Sequence, residues 1–220
     1  MIKDGLLITP EWDNTNKYLK SGTRTESIDI TKIIKENLKD MTDGIKVRKI
    51  LVLMNKYTSR LHNTNDSRKF KRNATEILKS GERTGCCDSC TLFTSIARSV
   101  GIPTMQIITL NKNWGRNIES GKKVGTSGHF FAGVYLQDIH GKYNWKVVDA
   151  DRYVTDIRDV SFKNLNKENR NIGNFYTFAY VSDYFDDLGI DSIKKMSEVQ
   201  LDAYIKCDKS DFEEEYDNIR

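Results

Sequence analysis

The chain has 220 residues, of which 38% are apolar and 30% charged, with 14 Gly and only 2 Pro. That composition excludes collagenous and wholly disordered chains, and the length lets a core bury about 70% of the surface an unfolded chain exposes, so one domain spanning 1–220 is the expectation. The net charge of +4 is small but uneven, with Lys and Arg in excess from Lys46 to Arg83 and Asp and Glu in excess from Asp183 to Arg220.

The basic stretch carries no interleaved aromatic recognition motif, so solvated helix faces are expected and nucleic acid is not. No apolar run is long enough to span a membrane, and Asp4, Glu11 and Asp13 interrupt the N-terminus where a signal peptide needs an apolar core. Three of the four cysteines, Cys86, Cys87 and Cys90, lie within five residues, a spacing that suits local chemistry better than a disulfide framework; a cytoplasmic setting is expected.

In chain order, Thr9-Pro10 has the form of a helix N-cap followed by proline at the first helical position. Val47, Ile50, Leu51, Met54, Tyr57 and Leu61 form a 3.6-residue stripe, which predicts an amphipathic helix over 45–62. A polar loop over 63–71 and a short helix over 74–78, stopped at Ser80-Gly81, come next. Leu92, Phe93, Ile96, Ala97 and Val100 predict a mostly buried helix over 86–100, closed by Gly101 and Pro103. A strand over 104–110, a long glycine-containing loop over 111–128, and a hairpin of strands over 129–136 and 143–149 follow. An aromatic-rich strand over 174–181, a helix over 192–207 and an acidic tail over 211–217 complete an α+β layout, with a core at about 45–181 and an appended 182–220 region.

Three elements coincide in a way that carries chemistry. Cys86 opens a helix, where partial positive charge favours a thiolate; His129 opens a strand; Asp149 ends the next one. A thiol nucleophile needs a base within hydrogen-bond reach and a carboxylate to orient that base, and His129 and Asp149 supply both. A hairpin closing about residues 139 and 140 sets His129 opposite residue 150, one position from Asp149. Cys87 is the alternative nucleophile. Cys87-Asp88-Ser89-Cys90 has the C-x-x-C form of redox and zinc sites, but a second ligand pair is missing, so no metal and no cofactor are expected. His62 and His140 have no partner pattern and read as surface residues. Trp114 and Trp145 read as structural, with Trp114 the one placed to line a groove.

The segment GCCDSCTLFTSIARSVGIP, with Gly85-Cys86, Arg98 and Gly101-Ile102-Pro103, resembles the cysteine motif of the transglutaminase-like superfamily. Gly128-His129 and Trp145-Lys146-Val147-Val148-Asp149 follow in that family's order, so the resemblance covers about residues 74–151. It implies a papain-like α+β fold with the nucleophile helix packed on an antiparallel sheet. It also implies Cys86, His129 and Asp149 as the catalytic set and an acyl-thioenzyme route on peptide or protein amides. A cysteine peptidase or amidohydrolase is the expected member. Amine transfer to glutamine, as in a transglutaminase, and a catalytically idle protein-binding module are the alternatives. The backbone N–H of Cys86 is one oxyanion donor by this reading, with Asn55 and Tyr57 as candidates for the second.

Overall fold

The computed structural model describes residues 7–26, 38, 40–61, 66–121, 125–165 and 170–207. His62 and the acidic tail 211–217 lie outside the described residues. Helices α1 (Asp43–Tyr57), α2 (Ala74–Ser80) and α3 (Cys86–Ser99) come first, with two-residue strands β1 (Ser59–Arg60) and β2 (Glu82–Arg83) pairing in parallel between them. A six-stranded antiparallel sheet follows: β3 (Thr104–Asn111), β4 (Phe130–Gln137), β5 (Tyr143–Val148), β6 (Lys163–Asn164), β7 (Asn171–Ile172) and β8 (Phe175–Val181), in the spatial order β6-β5-β4-β3-β8-β7. Helix α4 (Lys112–Glu119) lies between β3 and β4, and α5 (Tyr184–Leu188) and α6 (Ile193–Lys206) follow the sheet. This is the α+β arrangement expected.

Local chemistry explains the elements that build the site. In α2, Asn73 and Glu76 form a reciprocal capping box, and Gly81 ends the helix in the left-handed region. In α3, positions Cys87 to Arg98 are all buried, because the helix is wedged between α1 and α2 on one side and β3 and β4 on the other. Helix α1 brings Val47, Ile50, Leu51, Leu53 and Met54 to the same core, each fully buried side chain contributing about 1.5–3 kcal/mol. Arg98 acts as a clasp: its guanidinium donates to the carbonyls of Thr104, Lys20 and Ser182 and to Thr25 Oγ1, tying α3 to β3, to the N-terminal segment and to the end of β8.

The even-numbered residues of β4 face α3. The odd-numbered ones face a smaller aromatic core in which Trp145 meets Tyr18 edge-on at 5.3 Å between ring centroids and donates its indole N–H to the Trp12 carbonyl. The sheet curls so far that Lys163 of β6 and Ile172 of β7, at opposite edges, line one cavity of about 210 Å³.

Four sequence expectations change. The Thr9-Pro10 signal starts no α-helix: Ile8 bridges Ala179 of β8, the Glu11 N–H donates to the Tyr18 hydroxyl, and a 3-10 turn follows at Thr15–Leu19. Pairing to the sheet overrides the local cap. Helix α1 ends at Tyr57 rather than 62, because Ser59 and Leu61 donate their N–H groups to Gly81 and Arg83 across the β1–β2 pair. The 111–128 segment is not all loop. Asn111 caps α4 by accepting from the Asn113 N–H, and Trp114 is buried edge-on to Tyr204 of α6. Finally, the hairpin pairs Gln137 with Tyr143 and Gly133 with Val147, a register centred on His140 and one residue off the expected one. Asp138 sets it, accepting from the N–H groups of His140 and Lys142, with Gly141 at φ +80°.

Candidate active site

Cys86 occupies the first turn of α3, where N–H groups have no intrahelical acceptor. Its neighbour Gly85 has φ +154°, a conformation that a residue with a side chain rarely adopts, and a Cβ there would sit 3.4 Å from the Lys69 side chain. Glycine therefore lets the chain turn sharply into the helix with Lys69 alongside. Cys86 is partly exposed, whereas Cys87, Cys90 and Cys207 are buried, and none of the four is in a disulfide. Burial pushes the thiols of Cys87 and Cys90 up, well above the ordinary cysteine range, so both stay protonated at neutral pH. Cys90 donates to the Phe131 carbonyl at 3.3 Å. Among the described residues, no three His, Cys, Asp or Glu side chains gather as a metal site would require.

His129 immediately precedes β4, and the residue before it explains its position. A Cβ on Gly128 would fall 2.0 Å from the Thr109 carbonyl oxygen and 2.5 Å from Gln200 Nε2. Only glycine lets the two backbones come so close, and three bonds then lock the histidine's main chain: Thr109 N–H and Oγ1–H donate to its carbonyl, and its N–H donates to Thr109 Oγ1. The ring stacks edge-on to Phe131 at 4.5 Å and lies 5.5 Å from Phe175.

His129 Nε2 and Asp149 Oδ1 are 2.8 Å apart. The observed register makes this contact, since it places residues 129, 131 and 133 on the same face as 145, 147 and 149; the expected register would have separated them. With Nε2 taken by Asp149, Nδ1 is the ring nitrogen left to face the Cys86 thiol, which is near enough to act on the imidazole. Burial disfavours the imidazolium, but the hydrogen bonds and charges of Asp149 and Cys86 outweigh it and raise His129 to about 10. For Asp149, burial pushes the carboxyl up and the His129 contact pulls it down further, leaving it below the usual carboxylate range. Three sequentially distant residues are thus brought together: His129 is hydrogen-bonded to Asp149, and Cys86 lies near enough to act on the imidazole.

The candidates for a second oxyanion donor fare differently. The Asn55 amide donates to the carbonyls of Leu51, Arg152 and Val154, and its oxygen accepts from Arg83, so it is committed to structure. Tyr57 is exposed at the end of α1 under the Lys56 ammonium. Trp114 lines a cavity that shares Thr126 and Ser127 with the cleft beside Cys86, and its indole N–H donates to the Gly125 carbonyl. Sequence reasoning missed the walls of the cleft beside Cys86, a cavity of about 230 Å³ that includes Lys69, Phe70, Ile193, Met196 and Gln200. No local pattern could reveal them, because α6 reaches the cleft only through the tertiary fold.

A family model described as the transglutaminase-like superfamily matches residues 31–150, more than half of the chain. The chain belongs to the transglutaminase-like superfamily. The match extends the motif-bearing region back through α1. Among solved structures, this transglutaminase-like chain is similar to a crystal structure from Cytophaga hutchinsonii titled a "putative cysteine protease", with a TM-score of 0.53 and 16% identity over 82% of this chain and 52% of that one. The chain therefore spans about half the length of that protein, and the likeness is one of fold. No curated protein matches. Among the described residues, no helix of this transglutaminase-like chain is long and apolar enough to cross a membrane.

Proposed function

We propose that the chain is a thiol-dependent amide hydrolase acting on peptide or protein substrates, with Cys86 as nucleophile, His129 as acid and base, and Asp149 as the group that orients His129. The observation that carries this reading is the His129–Asp149 hydrogen bond beside the partly exposed Cys86 thiol, which acts on the same imidazole. Partial exposure, and influence on the His129 imidazole, favour Cys86 over the buried Cys87.

In the first step the Cys86 sulfur, its proton held by His129, attacks the carbonyl carbon, and a C–S bond forms as the carbonyl electrons move to oxygen. The N–H of Cys86 is one donor toward that oxyanion. The C–N bond then breaks as the imidazolium gives its proton to the leaving amine. Water, deprotonated by His129, attacks the thioester and releases the acid, and the proton returns to the site as the thiol leaves. An amine in place of water gives crosslinking by the same route. The cysteine-protease description of the Cytophaga structure supports the hydrolytic form.

The test is the pH profile of iodoacetamide labelling, mapped by mass spectrometry, in wild type and His129→Ala. Labelling of Cys86 at pH 6–7 at least about tenfold faster than of any other thiol, and slowed in the variant, is expected. Uniformly slow labelling with no dependence on His129 overturns the reading. A glutamine peptide offered with and without an amine donor then separates hydrolysis from transfer by the product formed.

A further inference from the structure

Two residues beyond Asp149, Asp151 is a charged side chain only 4% exposed, and nothing in the proposed reaction uses it. A buried carboxylate is costly unless its oxygens are satisfied, and here both are. Asp151 Oδ1 accepts from the Ser89 hydroxyl at 2.7 Å, and Oδ2 meets the Arg60 guanidinium at 2.5 Å. Its backbone N–H donates to Asp149 Oδ1 at 3.0 Å, the same oxygen that meets His129 Nε2. That oxygen is therefore fixed from two sides, and the second side depends on where Asp151 is held.

Ser89 lies three residues, about one turn, beyond Cys86 in α3. Its hydroxyl also accepts from Arg83, whose guanidinium donates to Asn55 Oδ1 at 2.7 Å, and Asn55 in turn donates to the carbonyls of Arg152 and Val154. The 149–154 turn is thus pinned by α1, by β1 and by the very helix that carries the thiol. The charged groups facing Asp151 are Arg60 and Arg83, and Asp149 is the acid next to it.

We propose that Ser89 and Asp151, with Arg60 closing the outer side, are positioning residues: they clamp the Asp149 carboxylate to the nucleophile helix and so keep it in line with His129. The proposal rests on His129 and Asp149 working as a pair. Without the clamp, the Asp149 side chain loses its fixed rotamer and the imidazolium its aligned partner.

The titration of His129, followed by NMR of the three histidines, reads this directly, alongside the rate of Cys86 alkylation at pH 7. Ser89→Ala is expected to lower the His129 pKa by about one unit and slow alkylation about tenfold, with the fold intact by circular dichroism. Ser89 is fully buried, so Arg60→Ala, at a residue whose side chain is 38% exposed, is the second variant. Its sign is diagnostic: removing a nearby cation would by itself raise the imidazolium pKa, so a fall reads loss of alignment. Arg60→Lys should restore the wild-type value. Folded Ser89→Ala and Arg60→Ala proteins in which His129 titrates as in wild type overturn the clamp. If His129→Ala leaves Cys86 alkylation unchanged while Ser89→Ala still lowers the His129 pKa, the thiol-enzyme reading falls and the clamp stands.

Discussion

Asp149→Asn isolates what one carboxylate does for His129, because the amide keeps an acceptor oxygen near Nε2 and removes the charge. The rise of His129 from an ordinary 6.5 to about 10 corresponds to about 5 kcal/mol in favour of the imidazolium, net of the burial that opposes it. That sum is divided between Cys86 and Asp149. The Asp149 side chain is 40% exposed, so solvent screens its share, and about 1–2 kcal/mol, or roughly one pH unit, is the part to assign to its charge. His129 should therefore titrate about one unit lower in Asp149→Asn than in wild type. The same shifts make stability depend on pH. A raised histidine contributes stability that is complete below its unfolded value of 6.5 and is lost as pH rises through about 10. A lowered aspartate contributes stability present above 3.8 that is lost as pH falls through its folded value. Wild type should exceed Asp149→Asn by the most between those limits, near about pH 5.5, and the gap should close by about pH 10.5. Urea unfolding at several pH values, with NMR titration of His129, measures both. A gap that is constant over that range, or an unshifted His129, refutes the argument.

Gly128→Ala should destabilise the fold by about 1–3 kcal/mol or more, since the added Cβ meets backbone and not a yielding side chain, and the shift of His129 should slow Cys86 alkylation as well. A thermal melt together with the labelling rate checks it; an unchanged melting temperature would contradict the packing. Asp88→Asn should cost about 3–5 kcal/mol, because Asp88 is fully buried, pairs with Arg72 and accepts from the Thr84 N–H and hydroxyl just before Cys86, and its loss leaves Arg72 buried without its anion. Chemical denaturation reads that loss, and a cost below 1 kcal/mol would show that the pair is solvated in solution.

The parts of the fold visible in the sequence were those where local pattern and tertiary demand agree. The α3 stripe from Leu92 to Ala97 is apolar because both of its sides are packed, and Gly85, Gly101 and Gly128 mark places where the backbone has left no room for, or no conformation suited to, a side chain. The order Cys86, His129, Asp149 was legible for the same reason, although assigning it as a working site remains the proposal above. Helix α4 was not legible: it is eight polar-rich residues long with only Trp114 and Ile118 as large apolar side chains, and Trp114 gains its partner Tyr204 only when α6 folds back. Nor was the hairpin register, which hangs on the five-residue turn Asp138–Lys142, where one residue decides which face every side chain takes. The Ser89–Asp151 contact spans 62 residues and leaves no trace in either segment alone.

The outermost strands of the main sheet, β6 and β7, are each two residues long, and the curl of the sheet brings both to the rim of one cavity. A sheet with long bare margins invites another chain to extend its ladder, the first step toward aggregation. Here the long strands β3, β4, β5 and β8 are flanked by margins too brief to template such growth. The brevity of β6 and β7 therefore also guards the protein against adding a foreign strand.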